Sequence, residues 1–394
     1  MTDFAAQLAA RSTTVNRPTL LVLSHLRWDF VFQRPQHLLT RAARDFNVRF
    51  VEEPLWTDAA EPGVVTRDGP SGVCVVQPTL PHGTSPSAAE AHQRSLVEAI
   101  VARAAGPVIL WYYTPMALAF SRAVRADVVV FDKMDELSAF DHAPPILLAL
   151  EQELLDRADV VFTGGAAMHE AAAHRHADIH CFPSSIDAPH FAGARGGGLA
   201  EPADQAGIAE PRAGFFGVID ERFDAKLVGE LAALAPGLQF VMIGPVVKID
   251  PATLPRAPNI HWLGGKTYAE LPAYLAGWNA GIMPFAINAA TRFISPTKTP
   301  EFLAAGLPVV STPIGDVVRP YGDAGLVEIA STPEEMLAAI LHVLGRPHAR
   351  WLAKVDAQLA GGSWDATWAA MRAHIERFLD GNAPAAPQRE VAYV

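Results

Sequence analysis

Cysteine is scarce in this chain of 394 residues, which has two, Cys74 and Cys181. That excludes a disulfide framework and any cysteine-based zinc motif. Each lies in an apolar, strand-like stretch and reads as a buried free thiol. Long apolar runs are missing as well. None approaches the ~20 residues needed to span a bilayer, and residues 1–17 lack the apolar core of a signal peptide. The expected location is the cytoplasm, with contact at the inner face of a membrane left open. Positive charge is in deficit, with 31 Lys and Arg against 42 Asp and Glu and a net charge of −11. Such a chain is not expected to bind nucleic acid in general. Neither half carries Gly-x-Gly-x-x-Gly after its first strand, which argues against a dinucleotide oxidoreductase.

Half of the residues are hydrophobic, enough for two cores. Short apolar runs, several nearly continuous and β-branched, fall at Leu20–Ser24, Val48–Val51, Val73–Gln77, Val108–Tyr113, Asp127–Phe131, Asp159–Thr163 and Ile179–Phe182. Helical patterns separate them, as at Pro35–Arg44, Ala88–Ala104, Met116–Val124 and Ile146–Arg157. Strands without polar alternation are buried on both faces, so these βα units predict a doubly wound parallel sheet. Arg195–Gly198 and the Ala-, Pro- and acid-rich Ala200–Pro211 have linker composition. The alternation then restarts, with strands at Ala213–Val218, Gln239–Gly244, Asn259–Leu263, Gly281–Phe285, Pro308–Ser311 and Leu326–Ile329. The expected fold class is α/β, with two Rossmann-like doubly wound parallel-sheet domains facing a cleft. Their bounds are residues 1–190 and 212–362, with 191–211 as linker, 363–380 as a C-terminal helix and 381–394 as a frayed tail. Ligands of open α/β sheets bind beyond the carboxyl ends of the strands.

The stretch richest in chemistry runs from Asn279 to Asp316. A strand ending at Met283–Phe285 is followed by a polar loop with Asn288, Thr291, Arg292, Ser295, Thr297 and Lys298. Pro300 and Glu301 open a short helix that stops at Gly306, since proline suits a first turn and glycine a C-terminal cap. A helix N-terminus offers free N–H groups and partial positive charge. Arg292 and Lys298 add two full charges, a combination that suits a diphosphate, and Glu301 is placed to accept both hydroxyls of a ribose.

Ser295–Val310, reading Ser-Pro-Thr-Lys-Thr-Pro-Glu-Phe-Leu-Ala-Ala-Gly-Leu-Pro-Val-Val, resembles the donor-binding signature of retaining GT-B glycosyltransferases, the glycosyltransferase 4 group. The resemblance implies that Glu301 binds the donor ribose and that Lys298 and Arg292 bind the diphosphate. Asn259–Gly264 followed by Tyr268–Tyr274 is similar to the strand and helix that cradle the nucleobase, which brings in Leu263 and Gly264. Gly217 and Arg222 match a glycine and a basic residue set against the phosphates, while Lys248 reads first as a solvated charge, with added positive potential at the cleft as the alternative. Pro183–Asp187 with Phe191 resembles the interdomain crossing, and Trp364–Leu379 the helix that packs back on the first domain. The family often carries a second acid seven residues before the ribose-binding one. Here that position is Phe293, which leaves the sugar contact to Asn288 or Thr291. The wording of Asn288–Lys298 is close to a bacterial subgroup associated with UDP-galactopyranose mutase and surface polysaccharide synthesis.

The first half is expected to hold the acceptor. His25 and Trp28 follow the first strand, Gln33 and Arg34 lead into the first helix, and Tyr112, Trp111 and Trp56 are aromatic groups able to stack on sugars. Asp132 and Asp135 follow the Asp127–Phe131 strand. Asp132 matches the polar residue that related transferases place near the transferred sugar, and helix capping is the plain alternative for Asp135. Asp-x-x-Asp is not the Asp-x-Asp of metal-dependent transferases, so neither metal nor cofactor is expected. The reading is a metal-independent retaining hexosyltransferase using a nucleotide sugar, with UDP favoured by analogy. Its acceptor is a glycan, a lipid-linked or a small molecule. Asp132, Asp135 and His25 are the candidate catalytic groups. The competing readings are a nucleotide-sugar epimerase of the same fold and a non-catalytic nucleotide-sugar binding protein.

Overall fold

The computed structural model describes residues 16–69 and 71–381, so most of the expected tail, 382–394, lies outside the described residues. The first sheet contains β1 (Thr19–Leu23), β2 (Asn47–Val51), β3 (Leu55–Thr57), β4 (Gly63–Asp68), β5 (Cys74–Pro81), β6 (Val108–Tyr112), β7 (Val128–Lys133), β8 (Val160–Thr163) and β9 (Ile179–Cys181). Its order is β3-β5-β2-β1-β6-β7-β8-β9, with β4 paired antiparallel on β5 and every other pairing parallel. The second contains β10 (Arg212–Phe216), β11 (Gln239–Ile243), β12 (Ile260–Gly264), β13 (Ala280–Met283), β14 (Val309–Ser311) and β15 (Val327–Ile329), in the order β12-β11-β10-β13-β14-β15. In both, the strand order reverses beside the first strand. That switch point opens a crevice at the carboxyl ends, between β1 and β6 and between β10 and β13.

The central strands β1, β6, β8, β10, β13 and β14 are buried along their whole length, as their unbroken apolar sequence requires. Strands β3 and β4 were not legible in that way. They are short and half-exposed, and they are held at the sheet edge by β5. The expected linker is also packed. Phe191, Ala194 and Ile208 are buried in the second core, and the fully buried Gln205 accepts from Trp278 Nε1 at 2.7 Å and donates to the Tyr274 carbonyl at 3.1 Å. A glycine- and alanine-rich composition therefore marks a segment that follows the second domain's surface, not a free tether.

The chain crosses twice between domains. The outward crossing, Phe182–Asp187, is fixed where Ser184 Oγ donates to the Ser295 carbonyl at 2.5 Å. The return crossing ends where Trp364 N donates to the Ile186 carbonyl at 3.3 Å. The helix Trp364–Leu379 then lies on the first domain, burying Trp364, Trp368, Met371 and Ile375 against Leu20, Val22, Trp111 and Phe162. A third tie comes from Asp316, whose carboxylate accepts from Ala166 N at 2.8 Å and Ala167 N at 2.9 Å, at the start of the Ala166–Ala172 helix of the first domain.

Within the first domain a buried ion pair joins the Arg34–Ala42 helix to β7. Arg34 Nε donates to both Asp132 oxygens, at 3.0 and 3.2 Å, and Nη2 adds a bond of 2.9 Å. Nη1 donates to the Phe182 carbonyl at 2.7 Å, so the pair also braces the outward crossing. Both side chains are almost wholly shielded from water. Removing one partner leaves a bare buried charge. Asp132→Ala should lower unfolding free energy by about 3–5 kcal/mol in urea denaturation. A loss under about 1 kcal/mol, the range of exposed pairs, would show that the pair does not hold these elements.

Candidate active site

Strands β10 and β11 are followed directly by Gly217 and Gly244, with φ of 139° and 149°, a region L side chains rarely enter. A Cβ on Gly217 would sit 2.5 Å from Lys298 Nζ and closer still to Cε. Lys298 opens the Lys298–Ala304 helix, which is anchored because Thr299, Phe302 and Leu303 are fully buried. Phe302 packs under Gly281, where a Cβ would lie 2.9 Å from its ring. Glu301, one turn on, is 4% exposed. Lys298, Glu301, Thr297, Gly217, Gly244 and Tyr268 share one cavity of about 100 Å³, which Phe32 and Gln33 of the first domain close from above. Burial pulls the Lys298 ammonium below the usual lysine range, against the opposing pull of Glu301. Burial likewise pushes the Glu301 carboxyl up, with Lys298 opposing.

Beside this pocket lies a cavity of about 670 Å³ between the domains, walled by His25, Gln33, Asp135 and Phe140 on one side and Arg222 and Lys248 on the other. Gln33 and Val218 line both spaces, so the two adjoin. His25 Nδ1 is buried without a partner. Burial, reinforced by Lys248 and opposed by a backbone bond to Tyr113, lowers the imidazole to about 4. Burial raises the Asp135 carboxyl, with Arg222 opposing. Arg222 is gripped by Asp220, with Nη2 2.6 Å from Oδ2, and lies 5.3 Å from the Phe140 ring, while Lys248 Nζ lies 4.7 Å from that ring.

The geometry thus brings Lys298, Glu301, Thr297 and Gly217, expected at the donor, together in the smaller pocket, and His25, Asp135 and Gln33 in the larger cavity. Other expected residues are placed elsewhere. Arg292 is exposed and lies over Phe293, 5.2 Å from its ring, outside the pocket that holds Lys298. Asn288 spends its amide on the backbone, donating to the Glu221 carbonyl after β10 at 3.1 Å and accepting from Thr291 N in its own loop at 3.0 Å. Ser295 serves the crossing. Arg222 faces the larger cavity and not the donor pocket. Leu263 and Gly264 end β12, where the Gly264 carbonyl accepts from Gly244 N at 2.9 Å, behind the pocket wall.

Tyr112 is buried with its hydroxyl 2.8 Å from Ser121 Oγ, because the alternation of β6 turns it into the core. Trp28 packs edge-on against Phe50 at 5.1 Å. Asp132 and Arg34 consume each other in their buried pair and line neither cavity. Phe140, Phe32 and Lys266 are walls that sequence reasoning did not single out. They come from loops whose positions depend on the fold.

Among the described residues, Asp178, His180 and His374 are grouped closely enough to share an ion. They line neither cavity, and Arg377 donates to Asp178 at 3.0 Å, so the cluster already holds a cation of its own.

Two doubly wound parallel sheets joined by two crossings are the architecture of the GT-B fold. The comparisons agree. Residues 211–346 match the family described as glycosyl transferases group 1. The chain is 25% identical over 296 residues to a Bacillus subtilis protein bearing the name teichuronic acid biosynthesis glycosyltransferase TuaH, covering 69% of this chain and 68% of that one. It superposes on an α,α-trehalose-phosphate synthase (UDP-forming) of Burkholderia xenovorans in complex with glucose-6-phosphate (TM-score 0.67, 12% identity), covering 92% of this chain and 100% of that one. It also superposes on a sucrose-phosphate synthase of Thermosynechococcus elongatus (TM-score 0.64, 15% identity), covering 93% and 100%. Residues 211–346 are thus similar to a group 1 glycosyl transferase domain, the chain has the GT-B fold, and the family match, the relative and the neighbours together support a glycosyltransferase. No helix among the described residues is long and apolar enough to cross a membrane.

The lowered histidine has a measurable consequence. Its folded value lies below the unfolded 6.5, so the unfolded chain takes up the proton first. Stability is full above about pH 6.5 and is lost as pH falls toward 4. Urea unfolding between pH 7 and 5 should show His25→Gln with a shallower pH slope than the native chain. An equal slope would mean that His25 is not held neutral.

Proposed function

We propose that this glycosyltransferase moves a hexose from a nucleotide-diphosphate sugar, with UDP as carrier, to a glycan acceptor in the interdomain cavity. Configuration at the anomeric carbon is retained, and no metal ion takes part. The observation that carries this reading is the meeting of Lys298 and Glu301 over the glycine ends of β10 and β11. As the anomeric bond breaks, the leaving diphosphate gains negative charge. Lys298 stabilises that charge in a site already shielded from water, where a fixed cation acts most strongly. Glu301 accepts the ribose hydroxyls and fixes the nucleotide. The UDP-forming neighbour supports the choice of carrier, and the name of the Bacillus relative supports an acceptor within a surface polysaccharide.

Across the join at Gln33, His25 and Asp135 face the acceptor. A neutral imidazole with a free buried Nδ1 accepts a hydrogen bond and orients an acceptor hydroxyl. Asp135, with its carboxyl raised by burial, is suited to take up or share that hydroxyl's proton. Attack on the face the phosphate leaves needs no protein nucleophile. Closed domains keep water from competing.

Glu301→Ala should weaken UDP binding about 10- to 100-fold by calorimetry, the worth of one or two charge-assisted hydrogen bonds. Lys298→Met should lower kcat about 10²- to 10³-fold, as for loss of one oxyanion donor. Unchanged UDP affinity in the glutamate variant would remove the nucleotide from this pocket. Transfer should also persist in EDTA, and its loss there would reject the metal-free reading.

A further inference from the structure

The first domain has a second recess, which the transfer chemistry leaves unused. It is a cavity of about 270 Å³ beyond the carboxyl ends of β1, β2 and β6, with Ser24, Glu53, Trp56, Glu90 and Phe120 among its walls. Glu53, Thr114 and Met116 line both this recess and the large interdomain cavity, so the two spaces adjoin. The ledge Glu52–Trp56 is held firmly. Glu52 is buried, and its carboxylate accepts from Trp28 N at 2.8 Å, Arg67 Nη2 at 2.9 Å and Gln77 Nε2 at 2.6 Å. Arg27 donates to the carbonyls of Glu53 and Pro54, the latter at 3.1 Å. Trp56 follows on β3, which β5 fixes at the sheet edge, yet it is 46% exposed. An indole left half open on a fixed strand beside a recess offers a flat apolar face to a ligand. The helix Pro86–Val101 adds Glu90 and Gln93, which are three residues apart and so share a face. The described walls include three glutamates and no lysine or arginine. Arg27 and Arg67 answer the charge of Glu52. Glu53 and Glu90 give the recess its acidic character.

We propose that this recess is a second acceptor subsite, which takes a non-acidic sugar unit further along the acceptor chain, with Trp56 stacked on its ring and Glu53 and Glu90 accepting from its hydroxyl or ammonium groups. The inference rests on the reading of the interdomain cavity as the acceptor site. A pyranose ring presents C–H bonds on its faces and hydroxyls around its edge, and the recess offers an aromatic face and carboxylates to match them. Hydrogen bonds to ionised acceptors are the stronger kind. A uronate or phosphate in the same place meets like charge with no lining cation to offset it, which rejects it. The shared walls Glu53, Thr114 and Met116 mark the path between the subsites. One unit lies beside His25 and Asp135, and a neighbour reaches Trp56. The substrate class is therefore an oligosaccharide, bound through more than its reacting sugar.

The probes are N-acetylglucosamine, glucosamine and galacturonic acid, each as the single sugar and as the tetramer. Their binding is measured by calorimetry with UDP present, on the native chain, Trp56→Ala and Glu90→Gln. In the native chain the two non-acidic tetramers should bind about 10-fold or more tightly than their single sugars, and the galacturonate tetramer should show no such gain. Trp56→Ala should lose about 3- to 10-fold in affinity for the tetramers and keep the affinity for single sugars. Glu90→Gln should weaken the glucosamine tetramer about 3- to 10-fold and strengthen the galacturonate tetramer. Both side chains line the recess and not the interdomain cavity, so single sugars report on the first subsite alone. A length gain that Trp56→Ala retains overturns the subsite, as does the absence of any gain in the native chain. A galacturonate tetramer that gains as much as the others overturns the selection against acids. If the native chain binds no probe of either length, the reading of the interdomain cavity as an acceptor site fails and this inference fails with it, an outcome distinct from the others.

Discussion

A gap one side chain wide, at the carboxyl end of β10, sets the position of everything in the donor pocket. Gly217 leaves it, Lys298 fills it, and Gly244 lies so close beneath the Gly217 carbonyl that no side chain fits there either. Two strand ends without Cβ atoms let the ammonium approach the backbone and carry the Lys298–Ala304 helix over the sheet. Glu301 follows as a consequence, since a residue three further along the helix lies about one turn away. The cost is two groups with poor hydration. Burial acts against the charge of each, and their mutual attraction is what opposes it. A site in that condition is ready for a ligand that brings negative charge to the lysine and hydroxyl donors to the acid.

The first domain is held against that pocket by contacts unlike a free hinge. Asp316 caps a helix of the opposite domain, Ser184 meets Ser295, and the return crossing ends on Ile186. An aromatic path runs alongside. Trp364 stacks on His37 at 4.6 Å and 8°, His37 meets Phe32 edge-on, and Phe32 lies on Tyr268. The C-terminal helix, although it follows the second domain in sequence, is therefore connected through packed rings to the roof of the donor pocket. His37 tolerates this place only as a neutral ring, and burial lowers its imidazole to about 3.

The sequence carried the architecture well because the signals were strong. Short apolar runs, several of them β-branched and nearly continuous, alternate with helical patterns, which favours parallel strands, and all thirteen expected strands occur in the two sheets within a few residues of their expected places. It missed β3 and β4 because half-exposed edge strands lack that run. The donor pocket was legible where chemistry sits on one short helix, as with Thr297, Lys298 and Glu301. It was illegible where direction matters. Arg292 and Lys298 are six residues apart on one loop, yet one faces solvent and the other faces Gly217. Asp132 and Asp135 differ in the same way. The former still belongs to β7 and meets Arg34 inside, whereas the latter lies just past the strand end and faces the cleft.

That last contrast bears on how the acceptor side is built. The sequence places Asp132 at a strand end, where related transferases have a polar residue near the sugar, and Arg34 on the acceptor side at the start of the first helix. Their mutual burial makes them the brace that holds the Arg34–Ala42 helix, and hence the loop bearing His25, Phe32 and Gln33, against β7 and the outward crossing. Gln33 immediately precedes Arg34, and its backbone N–H donates to Gln36 Oε1 at 3.0 Å. One residue of the loop is thus rigidly tied to the core, while the next few reach over the donor and acceptor spaces together. The loop is thus fixed to its own domain at Gln33 and rests on Tyr268 of the opposite domain through Phe32.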